Sequence, residues 1–268
     1  MDHNDTLKRL HGAQLEIMDE IHRICEKNGI RYFLDSGTAL GAVRHKGFIP
    51  WDDDVDIGML REDYERFLEI AGKELGDRFF LQHKATEPRY QKYNAKLRLR
   101  GTFFPEEGTE GYSQRGIFVD IYPFDYCGNT RDEAVRSVRR ERRMLRFLRF
   151  RQTGESRGGL KALLYRIVRL LPEAAVEKRY LRFCRRYRTG EFLTCYSYRM
   201  LQSKDLVFPR EVLEGCEKTA FEDREYDIMS AWDAYLRIMY GDYMTLPKES
   251  DRVCHLSGGI VFEDEKTV

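Results

Sequence analysis

Apolar residues recur every three or four positions between Thr6 and Lys27, at Leu10, Ile17, Met18, Ile21, Ile24 and Cys25, with Gln14 in the same stripe. That period predicts an amphipathic helix, and Asn28-Gly29 supplies its stop. A short strand over Arg31–Asp35 is expected next, then a Gly37-Thr38 turn and a short helix through Val43. At Val55 the period changes to two. Val55, Ile57 and Met59 alternate with Asp54, Asp56 and Gly58, which predicts a strand with Asp52, Asp54 and Asp56 on the face away from the apolar residues. A helix follows over Arg61–Leu75, with Tyr64, Phe67, Leu68 and Ala71 inward, and then strands over Arg78–Gln82 and Tyr90–Leu99. In the second of these, Gln91, Tyr93, Ala95, Leu97 and Leu99 share one face, and Lys92, Asn94, Lys96 and Arg98 share the other. Pro105–Ser113, rich in Glu and Gly, reads as a flexible loop able to cover a site. In Gly116–Asp125 the residues Ile117, Val119 and Ile121 line one face, so Asp120 points the other way and Asp125 falls in the following turn. Toward the C-terminus, a strand and turn are expected over Thr219–Asp227 and a helix over Ser230–Met239, with Trp232, Tyr235, Leu236 and Met239 inward.

Charge separates the middle of the chain from the rest. The whole carries a net charge of +1 over 268 residues, yet Arg131–Gly190 holds 19 Lys or Arg against 6 Asp or Glu. Three helices are expected there, divided by Gly154–Gly159 and Pro172, and the middle one has an apolar stripe from Leu160 to Leu171 opposed by Lys161, Arg166 and Arg169. This reads as a solvated helical subdomain or as a basic surface for an anionic membrane or polymer. The organisation expected is a core over residues 1–130, a basic helical insert over 131–200, and a C-terminal segment over 201–268 that completes the core. The near-neutral total and the absence of a recognisable motif count against a nucleic-acid binder. The six cysteines form no Cys-x-x-Cys pair, so zinc is not supported, and scattered single cysteines suit a reduced cytosolic protein. The polar N-terminus lacks the apolar core of a signal peptide, and no run of 18 apolar residues predicts a spanning helix.

The candidate chemistry is concentrated between Leu34 and Met59. Four carboxylates stand in the six residues Trp51–Asp56. On one strand face, neighbouring carboxylates are about 7 Å apart, within reach of a shared hard cation. An acidic surface loop or a structural calcium site would carry such a run too. The apolar alternation and the nearby Gly37-Thr38 turn, whose backbone N–H groups suit a phosphate, favour a metal–phosphate site. Arg44, His45 and Lys46 crowd the loop between them. They read either as a solvated counterweight to the aspartates or as a clamp on a diphosphate, for which the fork of Arg44 is the best shaped.

The run Leu34-Asp35-Ser36-Gly37-Thr38-Ala39-Leu40-Gly41, with Arg44-His45-Lys46-Gly47 and Ile49-Pro50-Trp51-Asp52-Asp53-Asp54-Val55-Asp56-Ile57, resembles the LicD family. These are phosphocholine transferases and relatives in the nucleotidyltransferase-fold superfamily, with fukutin-related proteins as distant kin. The segments around Asp120-Ile121 and Tyr240–Pro247 resemble the family as well. The resemblance implies a mixed α/β nucleotidyltransferase-like fold: a small sheet flanked by helices, here with an added basic helical subdomain. It implies a metal pair at Asp54 and Asp56 and a third carboxylate at Asp120, which completes the metal shell or accepts a proton. It also favours a phosphate contact for Lys96, otherwise a polar strand face, and puts His255, otherwise a structural histidine, near donor or acceptor.

The function implied is transfer of a phosphoryl-alcohol group, phosphocholine foremost, from a CDP-activated alcohol. The acceptor would be a hydroxyl of a cell-surface glycan such as lipopolysaccharide or teichoic acid, or its lipid-linked precursor. Mg²⁺ or another divalent cation such as Mn²⁺ would assist, and the protein would sit in the cytoplasm, with peripheral contact to the inner membrane face. Two rivals remain: a nucleotidyltransferase that leaves the nucleotide on its product, and a non-catalytic glycan- or nucleotide-binding protein on the same fold.

Overall fold

The computed structural model describes residues 3–90, 92–153, 170–198, 205–252 and 259–263. The middle helix expected in the basic segment, over residues 160–169, and His255 lie outside them. The chain divides into two compact units, Met1–Pro123 with Glu211–Val268, and Phe124–Arg210. The class is mixed α/β, a curled mixed sheet flanked by helices.

In the first unit α1 (His3–Asn28) buries Leu10, Ile17, Met18, Ile21, Ile24 and Cys25, the stripe that its period sets. Strand β1 (Phe33–Leu34) runs directly into α2 (Ser36–His45), and β2 (Asp56–Leu60) runs directly into α3 (Arg61–Glu74). β3 (Phe79–Gln82), β4 (Ala95–Leu99) and β5 (Phe118–Gly128) complete the path β1-β2-β5-β4-β3. The antiparallel register of β3, β4 and β5 sets Gln82, Lys96 and Asp120 in one row, with Arg98 opposite Phe118 in a neighbouring row. A hairpin of β8 (Cys216–Phe221) and β9 (Arg224–Met229) follows later in the chain, then α7 (Trp232–Tyr240).

The second unit takes the far half of β5, which pairs with β6 (Phe192–Thr194), which pairs in turn with β7 (Phe208–Pro209). Among the described residues two helices belong to it, α4 (Arg131–Thr153) and α5 (Glu173–Cys184); the short α6 (Arg210–Leu213) leads the chain back to the first unit.

Several expectations change. The strand expected through Asp54 begins at Asp56, so Asp52–Asp54 are irregular backbone before it. The polar face of β4 is buried: all five residues of the strand are buried, including Lys96 and Arg98 at 1% exposure each. Asp125 stands inside β5 opposite Thr194, not in a turn. Pro105–Ser113 is pinned, not loose, because Glu106 accepts from Lys96 and Arg98, and the Ser113 N–H donates to Glu87. Trp232 is half-buried, its indole N–H on Glu217, while Tyr235, Leu236 and Met239 are buried. Among the described residues five cysteines are free thiols, four of them buried.

Candidate active site

Asp35 is fully buried and caps α2, accepting from the Ser36 N–H. The Tyr235 hydroxyl donates to the same carboxylate and accepts from the Ser36 N–H, so α7 locks the start of α2. Gly37 and Thr38 are therefore residues of the first helical turn. A Cβ on Gly37 would stand 2.8 Å from the Asp52 Oδ2, so glycine is what lets that carboxylate approach. Thr38 Oγ1 accepts from the Asp56 N–H at 2.9 Å, which ties α2 to the first residue of β2.

The acidic segment is held from outside by its backbone. The His11 Nε2 donates to the Asp52 carbonyl at 2.8 Å, and Gln14 Nε2 donates to the Asp53 carbonyl at 2.9 Å, both from α1. Burial keeps the His11 imidazole less basic than usual, which suits a neutral ring with Nε2 protonated, and the ring stacks on Phe48 with centroids 3.7 Å apart. The Phe48 N–H in turn donates to Glu222 in the β8–β9 turn.

Burial, then the charges of Asp54 and Asp53, push the Asp52 carboxyl up to about 8. Asp56 is driven well above the carboxylate range by burial and then by Asp54, Asp120, Asp35 and Asp52. The groups that act on Asp52 and Asp56 are thus other carboxylates. Tyr240, at the end of α7, feels Asp35, Asp56, Asp52 and Asp54 as well, behind the effect of burial, and its hydroxyl is raised.

Asp120 reaches this cluster from the neighbouring strand, its N–H donating to the Val55 carbonyl at 2.9 Å. One of its oxygens accepts from Asn94 and the other from Lys96 at 3.2 Å. Lys96 also donates to Glu106 at 2.8 Å and lies over the Phe118 ring. Burial lowers Lys96 to about 8, against the opposing pull of Asp120. Arg98 donates to Gln82, the Gly116 carbonyl and Glu106. Arg44 donates to the Tyr243 carbonyl at 2.8 Å and to His45, and burial lowers its pKa.

The structure therefore brings Gly37, Thr38, Asp54, Asp56 and Asp120 into one neighbourhood, and it makes Lys96 an ion partner of Asp120. The donor set, crowded oxygen ligands that repel one another, fits a hard divalent cation in charge and type. Among the described residues, no three of these groups surround a common point as ligands. Sequence reasoning assigned no role to Asp35, His11, Gln14, Asn94, Glu106 or Tyr235. Only Gln14 left a signal: an amide within an apolar stripe needs a partner.

Residues 29–147 match the family model described as LicD/FKTN/FKRP, nucleotidyltransferase domain. The lipopolysaccharide cholinephosphotransferase LicD of Haemophilus influenzae is 28% identical over 264 residues, spanning 93% of this chain and 96% of that protein. An uncharacterized protein of Rickettsia typhi is 49% identical over 65 residues, 24% of this chain and 21% of its own. The ribitol 5-phosphate transferase FKRP of Homo sapiens is 35% identical over 105 residues, 38% of this chain but 18% of that protein. The matched segment holds α2, the acidic loop, β2, β4 and the first half of β5, the elements that carry the carboxylates, and it is over this segment that the chain is similar to the LicD family.

Proposed function

We propose that this protein transfers a phosphoryl-alcohol group, phosphocholine foremost, from a CDP-activated donor to a hydroxyl of a cell-surface glycan or its lipid-linked precursor, releasing CMP. The observation that carries the reading is the carboxylate cluster of Asp52, Asp54, Asp56 and Asp120, in which burial and the neighbouring carboxylates raise the affinity of Asp52 and Asp56 for a positive charge. The kind of group moved is taken from relatives named as a cholinephosphotransferase and a ribitol 5-phosphate transferase.

Asp54 and Asp56 would hold a divalent cation, Mg²⁺ or Mn²⁺. When bound, it supplies charge neutralisation on the donor diphosphate and the departing CMP. The chain's own residues do the rest. Asp120, oriented by Asn94 and Lys96, completes the acidic set or accepts the proton of the attacking hydroxyl. Thr38 fixes the backbone of Asp56, and the first turn of α2 at Gly37 and Thr38 faces the donor phosphates. Arg44, whose Nε and Nη1 are engaged by His45 and the Tyr243 carbonyl, offers its Nη2 to a phosphate oxygen. In this reading a lipid-linked acceptor is met peripherally at the inner membrane face; among the described residues no helix is long and apolar enough to cross a membrane.

The test is product analysis by mass spectrometry with CDP-choline, CDP-ethanolamine, CDP-glycerol and CDP-ribitol, Mg²⁺ and glycan acceptors. Free CMP and a phosphodiester on the acceptor are expected. Inorganic diphosphate released from a nucleoside triphosphate, with the nucleotide kept on the product, would assign the protein to the nucleotidyltransferases instead. Nucleotide binding without any turnover would make it a binding protein.

A further inference from the structure

The second unit contains a cavity of about 370 Å³, lined by Arg140, Arg143, Met144 and Phe147 of α4 and by Val176, Arg179 and Tyr180 of α5. Its size falls in the range of small-molecule sites, about 300–1,000 Å³. The spacing explains the lining. Positions 140, 143, 144 and 147 share one face of α4, and 176, 179 and 180 share one face of α5. The buried floor is closed by Tyr180, whose hydroxyl donates to Glu141 at 2.7 Å. That hydroxyl proton is therefore already committed. Met144, Phe147 and Val176 make the wall apolar, and Phe147 remains 38% exposed.

The charged residues that line this cavity are all of one sign. Elsewhere on α4, Arg139 and Arg142 are each paired with Asp205 at 2.8 Å. Among the described residues, Arg140, Arg143 and Arg179 form no ion pair with a carboxylate, and all three are exposed. Arg143 donates only to the Arg139 carbonyl, and Arg140 lies 5.5 Å from the Phe183 ring. Three guanidinium groups around an apolar wall match an amphiphile with an anionic phosphate head and a hydrocarbon chain. An acidic peptide would use the arginines and leave the wall without a partner. A nucleotide base would find few polar groups in the wall to read it.

We propose that this groove binds a phosphate-headed lipid, its head among Arg140, Arg143 and Arg179 and its chain along Met144, Phe147 and Val176. The site gives the basic segment a defined seat in place of a diffuse attraction for anionic surfaces. It stands independently of the transfer reaction, because no residue of the acidic cluster takes part.

The full-length protein would be sedimented with vesicles of phosphatidylcholine alone and with one-third phosphatidic acid. Binding is expected only with the anionic lipid. Each arginine near such a surface contributes about 1 kcal/mol, or roughly fivefold in partitioning, so Arg140→Glu with Arg179→Glu should lower it well over tenfold. Arg136→Glu with Arg188→Glu changes exposed arginines outside the groove and should cost much less. Phe147→Ser should weaken binding in a way that added salt does not mask. Calorimetry with a soluble short-chain phosphatidic acid should show binding that inorganic phosphate alone does not reproduce. Equal losses from both arginine pairs, equal binding to neutral vesicles, no binding to either, or equal affinity for inorganic phosphate would each overturn the proposal. Circular dichroism of every variant checks that the fold is kept.

Discussion

The acidic segment Asp52–Asp56 and the strand β4 lie on opposite sides of β5, and both take charged groups away from water. In β4 the charges are matched. Lys96 and Arg98 meet Glu106, Asp120 and Gln82, and the Lys96 and Arg98 charges, working against burial, hold Glu106 down to about 2. In the acidic segment the groups that act on Asp52 and Asp56 are carboxylates, and burial adds to their effect. A matched network can be part of the scaffold. Like charges gathered in one place weaken the fold, so they call for a compensating proton or cation. Asp120 belongs to both regions. Lys96 steadies it on one side while its own charge helps raise the Asp56 carboxyl on the other.

The sharpest break of this contrast is a single charge deletion in each region. Asp54→Asn or Asp56→Asn should cut turnover by at least about 10²-fold, the order expected when one charged contact to a transition state is lost. The same change removes a repulsion, so the metal-free variant should melt no lower than the wild type, and higher if repulsion dominates. Turnover assays and thermal melts with and without EDTA read both effects. Normal turnover in either variant would remove the residue from the site.

Lys96→Met should do the opposite to stability. Deleting one member of a buried ion pair costs about 3–5 kcal/mol, because Asp120 and Glu106 then keep charges that Lys96 no longer balances. Urea denaturation measures it. A loss below about 1 kcal/mol would mean that β4 does not depend on the network.

Acid should probe the same network through Glu106. Its ordinary pKa is 4.5 and its folded value is about 2. The folded state therefore releases this proton more readily than the unfolded chain does. The resulting stabilisation is complete above pH 4.5 and is lost as pH falls toward 2. Glu106→Gln should be less stable at neutral pH, and its stability should fall less between pH 4.5 and 2. Parallel acid profiles of the two proteins would count against the assignment.

The smallest effect expected is that of Tyr235→Phe, which removes the hydroxyl shared by Asp35 and Ser36. About 1–2 kcal/mol of stability should go, the cost of a buried hydrogen bond. The donor KM should rise, because the first turn of α2 loses its outside brace. An unchanged KM would restrict Tyr235 to packing.

What the sequence settled by itself was whatever depends on local period and local chemistry. The stripe of α1, the inward faces of α3 and α7, the apolar face of Val55, Ile57 and Met59, and the concentration of acid at Trp51–Asp56 are all legible without coordinates, because helix and strand periods act over a few residues. The resemblance carried by the same stretch pointed to the mixed α/β class and to the family whose model residues 29–147 match. Tertiary structure decided which charges have partners. Lys96 and Arg98 look solvated in a strand of alternating pattern, and only the pairing of β3, β4 and β5, with Glu106 brought over from a loop, buries them. His11, Tyr235 and Asp35 are far apart in the chain, yet they hold the acidic segment and the start of α2 in place. A hydrogen bond has no period along the sequence. Its partners are chosen by packing, and burial then sets how much each charge is worth.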